Sequence, residues 1–213
     1  MGDNSEKPVG SEEQVEPKVL SANEVGATPW IKLQTLTYRD QTGASRKWDM
    51  ATRTTKQPEA EADAVVILPL LRSKASSTFD TLLVEQFRPP VNRRTVEMPA
   101  GLIDKGETAE AAALRELKEE TGYVGKVQRV SPEVCMSPGI CDETVKLVLV
   151  LVDLDAPENL TPTQELEEGE FCVVKRVPLS GLREQLDAST RMSIEGLYLF
   201  ALGLEIGYQQ ARL

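Results

Sequence analysis

The residue types best suited to chemistry gather in one stretch, residues 101–123, GLIDKGETAEAAALRELKEETGY. Its second half carries Arg115, Glu116, Glu119 and Glu120. From Thr108 to Thr121 there is no Gly or Pro, and Ala, Leu, Glu, Lys and Arg dominate, which predicts a helix. Gly122 stands where a left-handed C-cap is expected. On that helix Glu116 and Glu120 are one turn apart and share a face, with Glu119 beside them. Ala113, Leu114 and Leu117 lie on the other side, where burial is expected. Like charges at this spacing cost about 0.2–0.5 kcal/mol unless something neutralises them. A bare run of glutamates is ordinarily a solvated face. Here the cluster follows a loop bearing Gly101, Asp104 and Gly106, and that combination suits a hard cation. Mg2+ takes oxygen ligands and keeps several waters, which leaves room for a phosphate substrate.

Composition narrows the remaining chemistry. There is no histidine, which removes imidazole bases, imidazole ligands and any Ser-His or Cys-His nucleophile system. Acid–base work falls to Glu, Asp, Lys or Tyr. Cys135, Cys141 and Cys172 form no CxxC and cannot all pair, so reduced thiols in a cytosolic protein are expected. A net charge of −10, with no basic run, argues against a nucleic-acid surface. No apolar run reaches membrane-spanning length, no signal-peptide core is present, and Glu6 stands where myristoylation needs Ser or Thr.

The elements that must position the glutamates follow from patterning. At 213 residues and 40% hydrophobic content, the chain supports one full core with an appendage. Residues 1–25 are polar, acidic and almost devoid of large apolar groups, and are expected to form a disordered tail. Residues 26–58 form a small β unit, a hairpin turning near Gly43, closed off by Pro58 and the acidic EAEAD stretch. Residues 59–213 make the main domain. Strands are expected at 64–71, 81–87, 124–134, 143–152 and 171–177, with Pro69 marking an edge or bulge. A loop and short strand (88–104) lead into the acidic stretch, and 155–169 is a long acidic loop. Helices are expected at 178–187 and 192–209, the last presenting Leu197, Phe200, Ala201 and Leu204 on one face. Strands with helices before and after them suggest an α/β sheet covered on both faces.

The acidic stretch matches Gly-x5-Glu-x7-Arg-Glu-apolar-x-Glu-Glu-x-Gly-apolar, from Gly101 and Glu107 through Gly122, with Tyr123 in the last place. Seven fixed positions coincide by chance with a probability on the order of 10⁻⁸ per starting point. The pattern resembles the box of the Nudix hydrolases, which cleave nucleoside diphosphates linked to another group. The resemblance implies an α/β/α sandwich around a mixed sheet. It also implies that Glu116 and Glu120 ligate Mg2+, or Mn2+ in its place, that the Ala100 carbonyl completes the set, and that Glu119 is a ligand or a partner of one. Arg115 would hold a carboxylate, that of Glu107 or Glu119.

Segments outside the box resemble the ADP-ribose (ADP-sugar) pyrophosphatase branch of the human and yeast type. They are TPWIKL, RKWD with RTT, VEQFRPP, VEMPAGLID, CMSPG and EGEF, spanning about residues 28 to 171. Pro138 lies sixteen residues after Gly122, a spacing associated with that branch. The resemblance implies that Trp30 and Trp48 clamp the adenine, one from each subunit of a homodimer with exchanged N-terminal units. Aromatic rings fit flat bases, whereas two tryptophans on a small hairpin have little core to fill. Asp49, Arg53, Arg88, Glu97, Leu102 and Met136 carry over as substrate contacts, and Arg suits phosphate. Arg93 and Arg94 read as surface charges. Glu170, in Gly-Glu-Phe context, aligns with a loop carboxylate that orients water or binds a metal, although Glu165, Glu167 and Glu168 crowd the same loop. Ser137 departs from the Asp of the human-type pattern.

The resulting expectation is Mg2+-dependent hydrolysis of ADP-ribose to AMP and ribose 5-phosphate, in the cytoplasm or in cytoplasm and nucleus, without nucleic-acid or membrane partners. The alternatives are another nucleoside diphosphate derivative, an oxidised nucleotide, or a Nudix module that binds without cleaving.

Overall fold

The computed structural model describes residues 15–57 and 59–211, in two units. The first comprises the described residues up to Thr55 together with Ser137–Asp142; the second comprises the rest.

In the first unit β1 (Lys18–Ala27), β2 (Ile31–Arg39) and β3 (Ser45–Arg53) form an antiparallel sheet in that order. The β2–β3 register runs unbroken from Ile31 opposite Arg53 to Arg39 opposite Ser45. The turn between them is built by Asp40, whose carboxylate accepts from Thr42 N (2.9 Å), Thr42 Oγ1 (2.6 Å) and Ala44 N (3.0 Å). Gly43 supplies the left-handed residue at φ 83°. This is the expected hairpin with one strand added. Lys18–Ala27 corrects the reading of residues 1–25 as a tail. Its side chains are exposed throughout, so composition carried no strand signal, and it is a strand because its backbone pairs with β2. Residues 1–14 of that expected tail lie outside the described residues, as does Pro58. Residues 137–142 also join this unit, where Ala51 N donates to Ile140 O at 2.8 Å.

The second unit holds β4 (Ala64–Arg72), β5 (Asp80–Arg88), β6 (Arg93–Glu97), β7 (Ala100–Leu102), α1 (Ala109–Thr121), β8 (Lys126–Cys135), β9 (Thr144–Asp153), β10 (Cys172–Pro178), α2 (Leu182–Ala188), β11 (Met192–Ser193) and α3 (Glu195–Gln210). The sheet runs β11-β6-β5-β4-β9-β8, with β10 paired to β5 and β7 to β4. It is mixed, since β4 with β9 and β11 with β6 are parallel and the other pairs antiparallel.

Strand alternation divides β4 between two cores. Val65, Ile67 and Leu71 pack with Ala109, Ala112, Ala113 and Leu117 of α1. Val66, Leu68 and Leu70 pack with Leu182 and Leu186 of α2 and Leu197 and Ala201 of α3. Each fully buried leucine contributes about 1.5–3 kcal/mol. The unit is therefore the expected α/β/α sandwich.

Pro69 is on a central strand, not an edge. Ile67 N donates to Pro99 O, so two residues on the Pro69 nitrogen faces the same side, where β4 has no ladder partner between Val66 and Leu71. Leu114, expected to be buried, is 36% exposed; Ala112 takes the inward position instead. The segment at 178–187 becomes helical only at Leu182, and Met192 belongs to β11 rather than to the last helix.

Candidate active site

Local sequence sets α1 in place at both ends. Thr108 caps the N-terminus, its hydroxyl accepting from Ala111 N at 3.3 Å. Gly122 closes the C-terminus at φ 76°, and its N–H donates to Lys118 O at 2.7 Å. The buried face of Ala109, Ala112, Ala113 and Leu117 fixes the rotation of the helix, which leaves Glu116, Glu119 and Glu120 toward β7 and the loop after it.

Arg115 organises this face. Its guanidinium grips Glu107 with two bonds, Nε to Oε1 at 3.1 Å and Nη2 to Oε2 at 2.9 Å. Nη1 donates to Glu116 Oε1 at 2.7 Å and Glu119 Oε2 at 3.1 Å, and Nη2 also reaches Leu102 O at 2.9 Å. Arg115 thus holds both carboxylates expected for it and a third, Glu116. Its own pKa is driven up, first by Glu107, and the same bond holds Glu107 below the usual carboxylate range.

Glu120 is buried, with Oε2 accepting from Ala100 N at 3.0 Å. Burial pushes its pKa up to about 8; the Ala100 N–H opposes this, and the charges of Glu116 and Glu170 add to it. Glu116 is raised as well, by burial first and by Glu119 and Glu170, against the pull of Arg115. Gly101 is required here by close approach: a Cβ on it would fall 1.9 Å from the Glu116 carboxyl carbon.

Beside Glu120 lies a cleft of ≈ 330 Å³ lined by Gln86, Phe87, Gly169, Glu170, Phe171 and Cys172. Glu170 caps its own loop, its carboxylate accepting from Glu167 N at 3.1 Å. Burial raises the Cys172 thiol to about 11, with help from Glu120 and Glu170, so it stays protonated. Arg88 and Glu97 form a two-point pair at 2.8 and 2.7 Å, and Thr95 Oγ1 donates to Glu97 at 2.5 Å. Burial works against the Glu97 charge and is outweighed by Arg88 and Thr95, so its pKa is lowered. Arg88 also feels the charge of Glu120, which places the pair toward the same site.

The structure thus brings together Ala100, Leu102, Arg115, Glu116, Glu119 and Glu120, with Arg88 and Glu170 electrostatically coupled to Glu120, and Glu97 paired with Arg88. Met136, just after β8, is half exposed, and its N–H donates to Glu143 O at 3.0 Å. Trp30, Trp48, Asp49 and Arg53 belong to the first unit. There Trp30 is 69% and Trp48 48% exposed, Trp48 Nε1 donates to Gly139 O at 3.3 Å, and Asp49 accepts from Thr35 Oγ1 at 2.6 Å. Sequence reasoning missed the close approach of Gly101 and the cleft residues Gln86, Phe87, Phe171 and Cys172. The glycine was visible as a fixed position, whereas cleft residues on β5 and β10 meet only through sheet pairing.

A family model, the NUDIX domain, matches residues 61–195. The chain belongs to the Nudix family. Among similar proteins, an ADP-ribose pyrophosphatase of Saccharomyces cerevisiae is 46% identical over 157 residues, covering 72% of this chain and 68% of that one. An ADP-sugar pyrophosphatase of Mus musculus is 41% identical over 170 residues, covering 80% and 77%. A solved structure described as an ADP compounds hydrolase superposes with a TM-score of 0.62 at 17% identity, over 95% of this chain and 98% of that one, which speaks to the fold alone.

Nudix hydrolases use a divalent cation, and the donor chemistry here fits one. Two carboxylates share one helix face, Glu120 buried and Glu116 half-buried, and both are raised in pKa. Their ionised forms lack counter-charge that Arg115 and one N–H do not fully supply and a cation would. Among the described residues no three acidic, Cys or His side chains converge into a ready cage. Arg115 draws Glu116 and Glu119 aside, and Ala100 N–H holds Glu120; a cation would compete for these carboxylates directly.

Proposed function

We propose that this Nudix chain is a Mg2+-dependent hydrolase of ADP-ribose, and of other ADP-sugars, releasing AMP and ribose 5-phosphate. One observation carries the reading: Arg115 ties Glu116 and Glu119 on the same helix as Glu120, itself held by Ala100 N–H, in a chain 46% identical to an ADP-ribose pyrophosphatase. Glu116 and Glu120, with Glu119 or the Ala100 carbonyl, would hold the cation. Bound Mg2+ supplies charge neutralisation for the diphosphate and makes water a better nucleophile. Arg115 offsets the mutual repulsion of Glu116 and Glu119 and orients both. Glu170, which lines the cleft with Glu120, orients the attacking water, which matters mainly in the transition state. Arg88, held by Glu97, faces the phosphates, while Leu102 and Met136 flank the sugars.

The first unit serves the adenine. Trp30 and Trp48 stack on it, with Asp49 and Arg53 beside them, and the unit exchanges between two subunits of a homodimer. The apolar groups it exposes, including Val19, Leu20, Val25, Ile31 and Leu33, are many for so small a sheet and suit a partner chain. Three free cysteines agree with a reducing compartment, the cytoplasm with or without the nucleus.

Assaying the purified protein with Mg2+ against a panel of nucleotide sugars, dinucleotides and oxidised nucleotides tests the reading. ADP-ribose is expected to have the highest kcat/KM. Preference for another nucleotide overturns the substrate, and tight ADP-ribose binding without turnover points to a binding module.

A further inference from the structure

The C-terminal turn of α1 carries Glu119 and Glu120, and its last carbonyls are met by a segment far away in sequence. Glu119 O accepts from Glu165 N at 2.8 Å. Glu120 O accepts from Gln164 Nε2 at 2.6 Å. The same amide nitrogen reaches Cys172 O, the first residue of β10, at 3.3 Å. Both partners are carbonyls, which only accept, so the amide must present its NH2 to them. Cys172 in turn follows Glu170 by two residues.

The strap that carries Gln164 is anchored on both sides. Asn159 is buried, with Oδ1 accepting from Val124 N at 2.8 Å and Nδ2 donating to Val124 O and Asp153 O. Thr163 backbone lies against Gly122, where an added Cβ would fall 2.3 Å from Thr163 N. With the strap held by Asn159 and Thr163 before it and by Glu165 after it, Gln164 places its NH2 between two pieces of chain that both line the cleft.

We propose that Gln164 is a positioning residue, an amide that, backed by the weaker Cys172 Sγ–Glu120 O contact at 3.8 Å, sets the separation between the cation-ligand turn of α1 and the loop carboxylate Glu170. This rests on the role given to Glu170 above. A displacement of about 1 Å at a reacting geometry costs up to about 100-fold, so loss of the tie acts on turnover rather than on substrate affinity. The tie meets Glu120 only at its backbone carbonyl and leaves the carboxylate bonds to Ala100 N and Arg115 in place, so cation affinity is expected to change little.

The test uses Gln164→Met, which keeps the length of the side chain and removes the donor, and Gln164→Glu, which puts an acceptor against two carbonyls. Each is made in the wild-type and Glu170→Gln backgrounds. Mn2+ affinity is followed by electron paramagnetic resonance, and kcat and KM are measured with ADP-ribose. Both single variants are expected to lose about 10–100-fold in kcat with KM within about threefold and Mn2+ affinity within about threefold. In the Glu170→Gln background the same changes are expected to cost less than about twofold, because one device is being broken twice.

Near-wild-type kcat in Gln164→Met overturns the proposal. So does an equal loss in both backgrounds, which marks a general structural role, or a loss of Mn2+ affinity that matches the loss of kcat. A silent Glu170→Gln removes the role of Glu170 and the proposal with it. A damaging Glu170→Gln beside a silent Gln164→Met removes the proposal alone.

Discussion

Gly101 and Glu116 approach so closely that a methyl group on the glycine would occupy the space of the carboxylate: an added Cβ lies 1.9 Å from Cδ and Oε1 and 2.4 Å from Oε2. The obstacle is the far end of a flexible side chain, not backbone, so the side chain yields and the fold does not. Gly101→Ala is expected to retain stability within about 1 kcal/mol while kcat falls at least about tenfold, because the proposed cation ligand Glu116 would be swung away. Thermal melts beside steady-state kinetics check this, and unchanged kcat would mean that the Glu116 carboxylate does no work in this position.

Glu120 gives the apo protein a pH signature. Its folded pKa, about 8, stands above the ordinary 4.5, so between these values the folded state binds more protons than the unfolded state. Stability contributed by this group is present at low pH and is lost as pH rises toward about 8. The chain has no histidine, so few other groups titrate in that interval. With chelator present, the Tm of wild type relative to Glu120→Gln is expected to fall as pH rises across this window. Saturating Mg2+ is expected to reverse the trend, since it replaces the proton as counter-charge. A parallel pH dependence of the two proteins in chelator would show that Glu120 ionises normally.

The acidic loop poses a choice between neighbours. Glu168 and Glu170 are both exposed, but Glu170 lines the cleft with Glu120 and raises its pKa, whereas Glu168 is not among the residues lining that cleft. Glu170→Gln is expected to lower kcat about tenfold or more with little change in KM, and Glu168→Gln to stay within about twofold of wild type. If Glu168→Gln is the damaging change, the loop residue has been misassigned.

What could be read from the chain alone follows how local each interaction is. The helix of Ala109–Thr121 was legible because Thr108, Gly122 and the apolar spacing act within a few residues. The three glutamates were legible for the same reason, as was the bond between Arg115 and Glu119 one turn away. Strand β1 was not, because all of its side chains are exposed and only the ladder to β2 makes it a strand. The return of residues 137–142 to the first unit was hidden because it rests on backbone bonds such as Ala51 N to Ile140 O. Gln164 read as one polar residue in a polar loop; its meaning comes from carbonyls 44 residues before it and eight after it.

The proposed exchanged dimer has a test that does not depend on seeing the dimer. Trp30 and Trp48 are both exposed, and stacking on a base is worth about 1–3 kcal/mol, so losing either ring costs about tenfold to a hundredfold in affinity. If one adenine is held by Trp30 of one subunit and Trp48 of the other, each site needs two chains. Co-refolding equal amounts of Trp30→Ala and Trp48→Ala protomers then gives heterodimers with one site lacking both rings and one site with both intact. With random pairing half of the dimers are mixed, so about a quarter of all sites are expected to regain wild-type affinity. If both rings of a site come from one chain, every site lacks one ring and mixing rescues nothing. Biphasic ADP-ribose titration with a tight phase near that fraction supports the shared site; a single weak phase after verified subunit exchange rules it out, even in a protein that remains dimeric.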